Sequence, residues 1–309
     1  MKLLEIMTAH TKPLLKVVEF LKDIITEANI QCTGNGKDSD LLDKTNKTED
    51  EEETEETNNK SKEETSGMRI TAIDETQTVL VNLKLEAQNF TKFVCKKKVM
   101  TLGVHLGWFY TILKTINNDE SIILSVEHDD PNNLNIEIVN QDEGTNKLYK
   151  LKMLDLDNSP LKVPELQFDA KIIMSSAKFQ KLCKEMDVIS SFVEIQCTKD
   201  KIKFSCKGDM VSDLIVPYKN DPNIGVTILK KDKSPPVIQG IYELRRLVLF
   251  SKCSSLSNEI EIYMKNNFPL ALKYTVATLG RIFLCLTPVD NNQDDNNDGM
   301  YEDEKVEYK

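Results

Sequence analysis

Apolar residues recur along this chain with two different periods, one typical of helices and one typical of strands. In Lys12–Ala28 the large aliphatic side chains return every three or four positions, which predicts an amphipathic helix. Other runs alternate apolar and polar residues, as antiparallel strands with one solvated face do. The first strand-like runs are Asn29–Thr33, Met68–Ile73 and Thr78–Leu85, and further helices are predicted at Leu106–Ile116, Ser176–Met186 and Tyr242–Cys253. The pattern predicts an α+β fold of short helices and antiparallel sheets.

The unit of one helix followed by antiparallel strands repeats within the chain. Ile30-Gln31-Cys32-Thr33 returns as Ile195-Gln196-Cys197-Thr198, and each follows a helical stretch that carries lysines. Glu120–Val126 similarly matches Asn258–Met264, and each leads through a polar turn to another strand. This internal similarity predicts about four units in two halves. A duplicated frame without a chemical motif favours a protein that works through its shape.

The repeat divides the chain into two similar domains. We predict an N-terminal domain at 1–152, a connecting loop at 153–168, a C-terminal domain at 169–289 and a tail at 290–309. Within the connecting loop, polar residues and prolines separate Leu156, Leu161 and Val163. Neither the helical nor the strand period holds there, so the sequence predicts an extended linker.

Two acidic segments account for the net charge of −10. Gly34–Ser66 has 12 acidic residues and five lysines, and Asp290–Lys309 has eight acidic residues and two lysines. They carry −7 and −6, which leaves about +3 on the rest of the chain, so nucleic acid stays open as a partner of the folded part. Gly34–Ser66 has too few apolar residues to build a core, and we predict a disordered insertion at a hairpin tip and a disordered tail.

The seven cysteines and three histidines show no metal-binding or redox spacing. The chain has no Cys-x-x-Cys, and most cysteines lie in apolar runs. They are expected to be buried, reduced thiols of a nuclear or cytoplasmic protein. We expect no metal site and no cofactor.

Basic residues lie on the side of each predicted helix that is opposite to its apolar stripe. On one helix this is typical of a solvated face, but here it recurs on all four repeated helices of an acid-rich chain. Both interpretations stay open, a solvated surface and a surface that binds phosphates. The residues are Lys16, Lys22, Lys114, Lys178, Lys181, Lys184, Arg245, Arg246 and Lys252.

Three stretches between Leu3 and Pro288 resemble the sliding-clamp family of proliferating cell nuclear antigen. The first is Gly67–Asp74 with Val79–Leu83; the second is Lys152–Asp157 with Leu161–Glu165; the third is Pro269-Leu270, Tyr274, Gly280 and the ending Leu286-Thr287-Pro288. The second stretch resembles the interdomain connecting loop of the family, and it falls where the internal repeat places the domain junction.

The resemblance implies the clamp fold, in which two similar domains per chain form a pseudo-sixfold ring as a homotrimer. Helices would line the hole around duplex DNA, and sheets would lie outside. The implied partners are double-stranded DNA, a clamp loader, and DNA polymerase and other replication or repair proteins that carry short clamp-binding peptides. The implied location is the nucleus, or a viral replication compartment. Asn146–Met153 of one subunit would pair with Val211–Pro217 of the next.

The resemblance also assigns residues to roles. The cations that match inward-facing, DNA-binding positions are Lys16, Lys22, Lys114, Lys181, Lys184, Arg245 and Lys252. A groove for partner peptides under the connecting loop would be lined by Ile73, Leu80, Leu156, Leu161, Val163, Pro269 and Pro288.

The chain departs from the family pattern at three places. Cys95 is followed by three lysines where the family has acidic and then basic residues. Thr287 replaces an alanine before Pro288, and Cys285 replaces a tyrosine. These changes affect the partner groove rather than the fold, and the loss of the aromatic ring predicts a deeper or looser pocket.

Two other interpretations remain open. A subunit of a heterotrimeric checkpoint clamp would share the fold, and self-assembly of the pure protein would separate it from a homotrimer. An enzyme could use Asp155 and Asp157, but both lie on the linker without a neighbouring histidine or cysteine. We therefore predict no catalytic residue and no enzymatic activity.

Overall fold

The computed structural model describes residues 1–34, 66–117, 119–140, 142, 144–157 and 167–289. Leu161, Val163, the tail and nearly all of the predicted insertion lie outside these residues. The strands are β1 (Lys2–Thr8), β2 (Glu27–Thr33), β3 (Gly67–Ile73), β4 (Val79–Glu86), β5 (Lys92–Cys95), β6 (Val99–His105), β7 (Glu120–Glu127), β8 (Asn133–Asn140), β9 (Thr145–Lys152), β10 (Ala170–Ser175), β11 (Phe192–Cys197), β12 (Lys201–Cys206), β13 (Leu214–Lys219), β14 (Val226–Lys230), β15 (Ile238–Glu243), β16 (Glu259–Met264), β17 (Leu270–Val276) and β18 (Gly280–Leu286). The helices are α1 (Thr11–Leu21), α2 (Leu106–Leu113), α3 (Ser176–Asp187) and α4 (Leu244–Ser251).

The two halves of the chain have the same strand order. The order β5-β1-β7-β8-β9 in the first half matches β14-β10-β16-β17-β18 in the second, and β4-β3-β2-β6 matches β13-β12-β11-β15. The repeated sequences that begin at Ile30 and Ile195 lie on the corresponding strands β2 and β11. The predicted internal repeat is confirmed, and the fold is α+β with two similar halves, as expected.

One pair of strands joins the two halves. β18 pairs with β4 in antiparallel register from Gly280 opposite Leu85 to Leu286 opposite Val79. This pairing, here called the seam, fuses sheets of both halves into one nine-stranded sheet. β9 and β13, which correspond to β18 and β4, instead lie at the edges of a five-stranded and a four-stranded sheet.

The helices form a layer that packs on the sheets. α1 packs on α2 and α3 on α4, and the 3₁₀ turn Lys252–Ser255 that follows α4 contacts α1. The buried side chains of α1 include Leu14, Val17, Val18 and Leu21. This spacing is the helical period of an amphipathic helix, and it turns the opposite side of the helix away from the core.

Three helices are shorter than the sequence pattern predicts. α1 ends at Leu21 because Ile24 and Ile25 close a turn through backbone hydrogen bonds to the Leu21 carbonyl, at 2.9 and 2.8 Å, and Ala28 already lies on β2. α2 likewise ends at Leu113, and α4 begins only at Leu244. Apolar residues that continue a helical period are buried by a turn or a strand here, which periodicity cannot distinguish.

The seven cysteines are all free thiols, and all except the half-buried Cys95 are buried. Burial raises the pKa of Cys197 to about 11 and that of Cys285 to about 12, so both are protonated at neutral pH. The prediction of buried, reduced thiols is confirmed for these residues. Across the described ranges, no cluster of acidic, histidine and cysteine side chains could hold a metal ion, and no helix is long and apolar enough to cross a membrane.

Candidate functional site

Two surfaces carry the residues that the sequence singles out. One is the open side of the helix layer, which holds the predicted cations. The other is the face of the nine-stranded sheet that is turned away from the helices. Strand β4 shows this division, because Val81 and Leu83 are buried in the core while Leu80 and Asn82 on the opposite face are half-buried.

The helix layer presents basic side chains to solvent. Of the seven predicted cations only Lys22 is half-buried, and the exposed ones are Lys16, Lys114, Lys181, Lys184, Arg245 and Lys252. They come from all four helices or from the residues that directly follow them. All seven predicted cations therefore lie on the four helices or directly at their ends.

Asp23 binds two of these cations. Its carboxylate accepts hydrogen bonds from Lys22 at 2.7 Å and from Lys252 at 2.8 Å, which ties the end of α1 to the end of α4. Burial disfavours the charged form, but both hydrogen bonds outweigh it and lower the pKa of Asp23. The Lys22 ammonium also lies 4.9 Å from the centre of the Tyr110 ring. A cleft of about 580 Å³, lined partly by Asp23, Arg245 and Lys252, opens at this junction.

The remaining cations differ in their partners. Lys16 pairs with Glu19 at 2.8 Å, and Lys181 pairs with Glu185 at 3.7 Å. Such exposed pairs are weak, so a phosphate can replace the carboxylate. No ion pair with another described residue is formed by Lys114, Lys184 or Arg245.

Trp108 on α2 was not anticipated from the sequence. It is the only tryptophan of the chain, and 63% of it is exposed. His105 caps the helix, with Nδ1 accepting from the Trp108 amide at 3.4 Å, and this contact fixes the backbone that carries the ring. Tryptophan side chains are highly buried on average, so the exposure of Trp108 is unusual.

The outer face of the nine-stranded sheet brings four predicted groove residues together. Ile73 lies opposite Leu80, and Leu80 lies opposite Cys285 across the seam. Pro269 directly precedes β17, next to the end of β18. The Thr287 amide donates to the Thr78 carbonyl at 3.0 Å, which places Pro288 beside the β3–β4 turn. Ile73 is 38% exposed, so this apolar surface is open.

A cavity adjoins the apolar surface along β15. Its volume is about 370 Å³, and its lining combines Tyr242, Phe268 and Pro288 with polar residues such as Glu194 and Asn267. The Val289 amide donates to the Ile241 carbonyl at 2.9 Å and so holds the chain against β15. Pro288 therefore borders both the groove and the cavity.

Leu156 lies away from the other described groove residues. The Leu154 amide donates to the Gly103 carbonyl at 2.9 Å, and Asn29 donates to the Asp157 carbonyl at 3.0 Å. These bonds hold the connecting stretch against β6 and β2, on the opposite side of β3 from Leu80. A Cβ at Gly103 would lie only 2.1 Å from the Leu154 carbonyl oxygen, so the close approach requires glycine.

The far end of the connecting stretch is anchored by aromatic residues. The Phe168 ring lies 5.4 Å from Tyr263 and 6.4 Å from Phe283. Beneath them, Glu261 binds Lys171 at 2.9 Å and Lys273 at 3.1 Å, and it accepts from the Tyr263 hydroxyl. Burial disfavours the charged carboxylate, but these bonds outweigh it and lower the pKa of Glu261 to about 2.

The β3–β4 turn at the groove is built on Asp74, which sequence reasoning did not single out as a functional residue. One carboxylate oxygen accepts from the amides of Thr78 at 2.9 Å and Val79 at 2.7 Å. Thr76 donates to the other oxygen. Burial opposes ionisation, but the bonds from Thr76 and Val79 and the nearby Arg246 charge outweigh it and lower the pKa of Asp74.

The predicted subunit contact falls on β9 and β13, two of the six edge strands of the three sheets in the described part of the chain. The segment Asn146–Met153 lies on and just after β9, and Val211–Pro217 overlaps β13. The predicted start of the second segment at Val211 was wrong as a strand boundary, because β13 begins at Leu214, after Asp213. The core-side residues of both strands remain partly exposed; they are Tyr149, Leu151, Leu214, Val216 and Tyr218.

The chain matches two models of one protein family. Residues 54–160 match the model described as proliferating cell nuclear antigen, N-terminal domain, and residues 162–289 match the one for the C-terminal domain. Together the two matches extend over most of the chain.

Curated relatives carry related names. A probable DNA polymerase sliding clamp of Acanthamoeba polyphaga mimivirus is 35% identical over 297 residues, which are 94% of this chain and 63% of the relative. A probable DNA polymerase sliding clamp 1 of Paramecium bursaria Chlorella virus 1 is 27% identical over 226 residues, which are 72% of this chain and 85% of that relative. The proliferating cell nuclear antigen of Chaetomium thermophilum is 27% identical over 290 residues, which are 93% of this chain and 98% of that relative. The chain thus spans under two thirds of the mimivirus relative but nearly all of the fungal one.

Proposed function

The chain belongs to the proliferating cell nuclear antigen family, and from this premise we propose that it is a DNA sliding clamp. In this proposal three copies close into a ring around duplex DNA, and the ring tethers DNA polymerase and other replication or repair proteins. The role requires a shape and a set of binding surfaces, with no catalysis. It would be exercised in the nucleus or in a viral replication compartment, after a clamp loader has opened the ring.

The observation that carries the proposal is the seam together with the unpaired edges of the two strands that correspond to it, β9 and β13. Inside one chain, β18 pairs with β4. The corresponding strands β9 and β13 are unpaired at the edges of their sheets. If β9 of one copy pairs with β13 of the next, every junction in the assembly repeats the seam. Such head-to-tail contacts form closed rings when the rotation between copies closes, and the number of three copies follows from the family.

The helix layer supports the DNA-binding part of the proposal. In the proposed ring the helices of all copies would line the inner side. Their cations would contact phosphates without reading sequence, as a sliding protein requires. Lysine suits this task because its charge is mobile and strongly hydrated, so it does not lock onto one phosphate geometry.

The outer groove supports the partner-binding part. Ile73, Leu80, Pro269 and Pro288 would receive the apolar and aromatic anchors of a short peptide. The connecting-loop residues Leu161 and Val163 would complete the groove, and Leu156 would join them if the loop shifts on peptide binding. Loss of two aliphatic contacts costs a few kcal/mol of affinity at about 1.5–3 kcal/mol for each fully buried side chain.

The mass of the pure protein in solution, with and without chemical cross-linking, tests the homotrimer. A mass of three chains is expected, because one chain carries both complementary edges. A monomer that forms a ring only with other polypeptides would favour a heterotrimeric checkpoint clamp instead.

Retention on DNA tests the encirclement. After loading, the protein is expected to stay on closed circular DNA at high salt and to leave when the circle is cut, because a ring slides off free ends. Equal loss from circular and linear DNA would contradict the proposal.

A further inference from the structure

We propose that Arg246 is a positioning residue for the peptide groove, acting from helix α4 on the β3–β4 turn. The proposal rests on the groove of the proposed function and adds a residue that lies outside the groove. Arg246 belongs to the second half of the chain and the turn to the first, so the contact also links the two halves.

The contact is made by one end of the guanidinium. Arg246 Nη2 lies 3.2 Å from Asp74 Oδ2 and donates to Thr76 Oγ1 at 3.0 Å. The Asp74 side chain is 3% exposed and that of Arg246 is 22% exposed, so the pair is largely shielded from water. Arg246 Nε lies 3.5 Å from Glu243 in an ion-pair contact without hydrogen-bond geometry. The side-chain hydrogen bond of Arg246 to Thr76 and its shorter ion pair, with Asp74, are therefore both directed at the turn.

Asp74 passes this restraint to the turn backbone. Its other oxygen holds the amides of Thr78 and Val79, and the Gln77 amide donates to the Asp74 carbonyl at 2.9 Å. Gln77 has a φ of 58°, a left-handed conformation that costs free energy for a residue with a side chain. The turn therefore depends on the charged Asp74, and a nearby cation stabilises that charge.

The turn in turn sets the position of groove residues. Ile73 precedes Asp74, and the Thr78 carbonyl accepts from the Thr287 amide at 3.0 Å. Thr287 carries Pro288, which borders the groove and the adjoining cavity. A change in the turn therefore moves Ile73 and Pro288, which both line the groove. Arg246, which restrains the turn, lies outside the groove on α4.

Removing the guanidinium leaves the Asp74 charge shielded from water without its cation, which is the unfavourable half of a buried pair. The turn then relaxes toward conformations that solvate the carboxylate. The contact adjoins only the end of the seam, where Val79 lies opposite Leu286, so the expected loss is local.

Three variants test the proposal by calorimetry with a family-type peptide that carries apolar and aromatic anchors. Arg246→Gln is expected to weaken binding by about three- to thirtyfold, the range for residues that act on a site without touching its ligand. Arg246→Lys is expected to recover part of this loss, because a lysine keeps the positive charge, but its side chain is one bond shorter than the path to Nη2 and reaches Asp74 and Thr76 less well. Arg69→Gln is the matched control, since Arg69 lies on β3 outside the turn and forms no ion pair with another described residue, and its binding should equal that of the wild type.

Hydrogen exchange separates positioning from general destabilisation. In Arg246→Gln the amides of Thr78, Val79 and Thr287 should exchange faster, while that of Leu83 on β4 keeps its protection. Equal peptide affinity in Arg246→Gln and wild type would overturn the proposal, and so would faster exchange throughout β4. Absence of peptide binding by the wild type would instead count against the groove itself, so the two failures are distinguishable.

Discussion

The seam and the free edges are two versions of the same strand pairing, one complete and one open. On the seam, Val81 of β4 and Leu284 of β18 are fully buried. On the corresponding edge strands, Val216 of β13 and Leu151 of β9 are only partly buried against the core. The core is therefore fully covered where β18 pairs with β4, and it stays partly exposed at the corresponding edge strands β9 and β13.

This difference marks the two edges at which the proposed ring would join one copy to the next. Unpaired edges with apolar side chains are an aggregation hazard in a monomer, and monomeric proteins usually protect them with charges or bulges. Here Leu148 on β9 and Ile215 on β13 are more than half exposed, beside the partly buried core-side residues. The comparison predicts that the β9 edge of one copy pairs with the β13 edge of another.

The largest effect is expected from a charge on one free edge. Leu151→Asp removes about 1.5–3 kcal/mol of apolar burial at each junction and adds a carboxylate that has to be desolvated. The ring should dissociate into folded monomers, as measured by light scattering. Leu229→Asp on β14 controls for a new charge on a sheet edge outside the predicted junction, because Leu229 is an exposed leucine there, and this variant should stay trimeric. A trimeric Leu151→Asp variant would show that β9 is not a junction strand.

The loss of stability caused by a side-chain truncation should depend on protein concentration on a free edge but not on the seam. Leu284→Ala should lower the free energy of unfolding by about 2–5 kcal/mol, because it leaves a cavity in the core, and the loss should be the same at all concentrations. Val216→Ala should act mainly through assembly, so its melting temperature should recover at high protein concentration. Calorimetric scans over a range of concentrations compare the two. Parallel behaviour of both variants would remove the distinction between seam and edge.

A third test compares cations with and without acidic partners. Substitution of Lys114, Lys184 and Arg245 by glutamine should weaken DNA binding more than the same change at Lys16, Lys22 and Lys252, because the second group must first give up its carboxylates. Each lost phosphate contact should make the salt dependence shallower, by about 0.9 in the slope of log K against log salt concentration. Titrations at several salt concentrations measure this slope. The monomeric Leu151→Asp variant should show a shallow slope throughout, and a steep one would separate DNA binding from ring closure.

The smallest effect concerns acid stability within one half. The folded-state pKa of Glu261 is about 2, below its ordinary value of 4.5, so its ion pairs stabilise the fold fully above pH 4.5 and lose their effect as the pH falls towards 2. The stability difference between wild type and Glu261→Gln should therefore be constant near neutral pH and shrink in acid, as measured by urea unfolding. Because the cluster lies inside one half, the monomeric Leu151→Asp background should give the same result. A difference that grows in acid would contradict the assignment.

The sequence predicted the strands and the repeat well, because both leave local signals. A period of two residues marks strands such as β4, and repeated sequences such as Ile30–Thr33 mark equivalent strands directly. The helix ends were predicted less well. Ile24 and Ile25 continue the helical spacing of α1 but lie in the turn that closes it.

The candidate sites were predicted only in part, because several of their contacts are distant in the chain. Nothing in the local sequence places Arg246 beside Asp74, and Leu156 looks equivalent to the other groove residues until Gly103 is seen to hold its segment against β6. Helical spacing found the basic residues of the helices and the family resemblance selected seven of them, but their pairing with Asp23 or Glu19 depends on rotamers that the sequence does not fix.

The exposed Trp108 gives the protein a built-in optical label. Its emission comes from one position on α2, on the helix layer that is proposed to face DNA, since the chain has no other tryptophan. Fluorescence can therefore be assigned to one site without chemical modification. Loading onto DNA, ring opening and exchange of subunits can then be followed in real time with the unaltered chain.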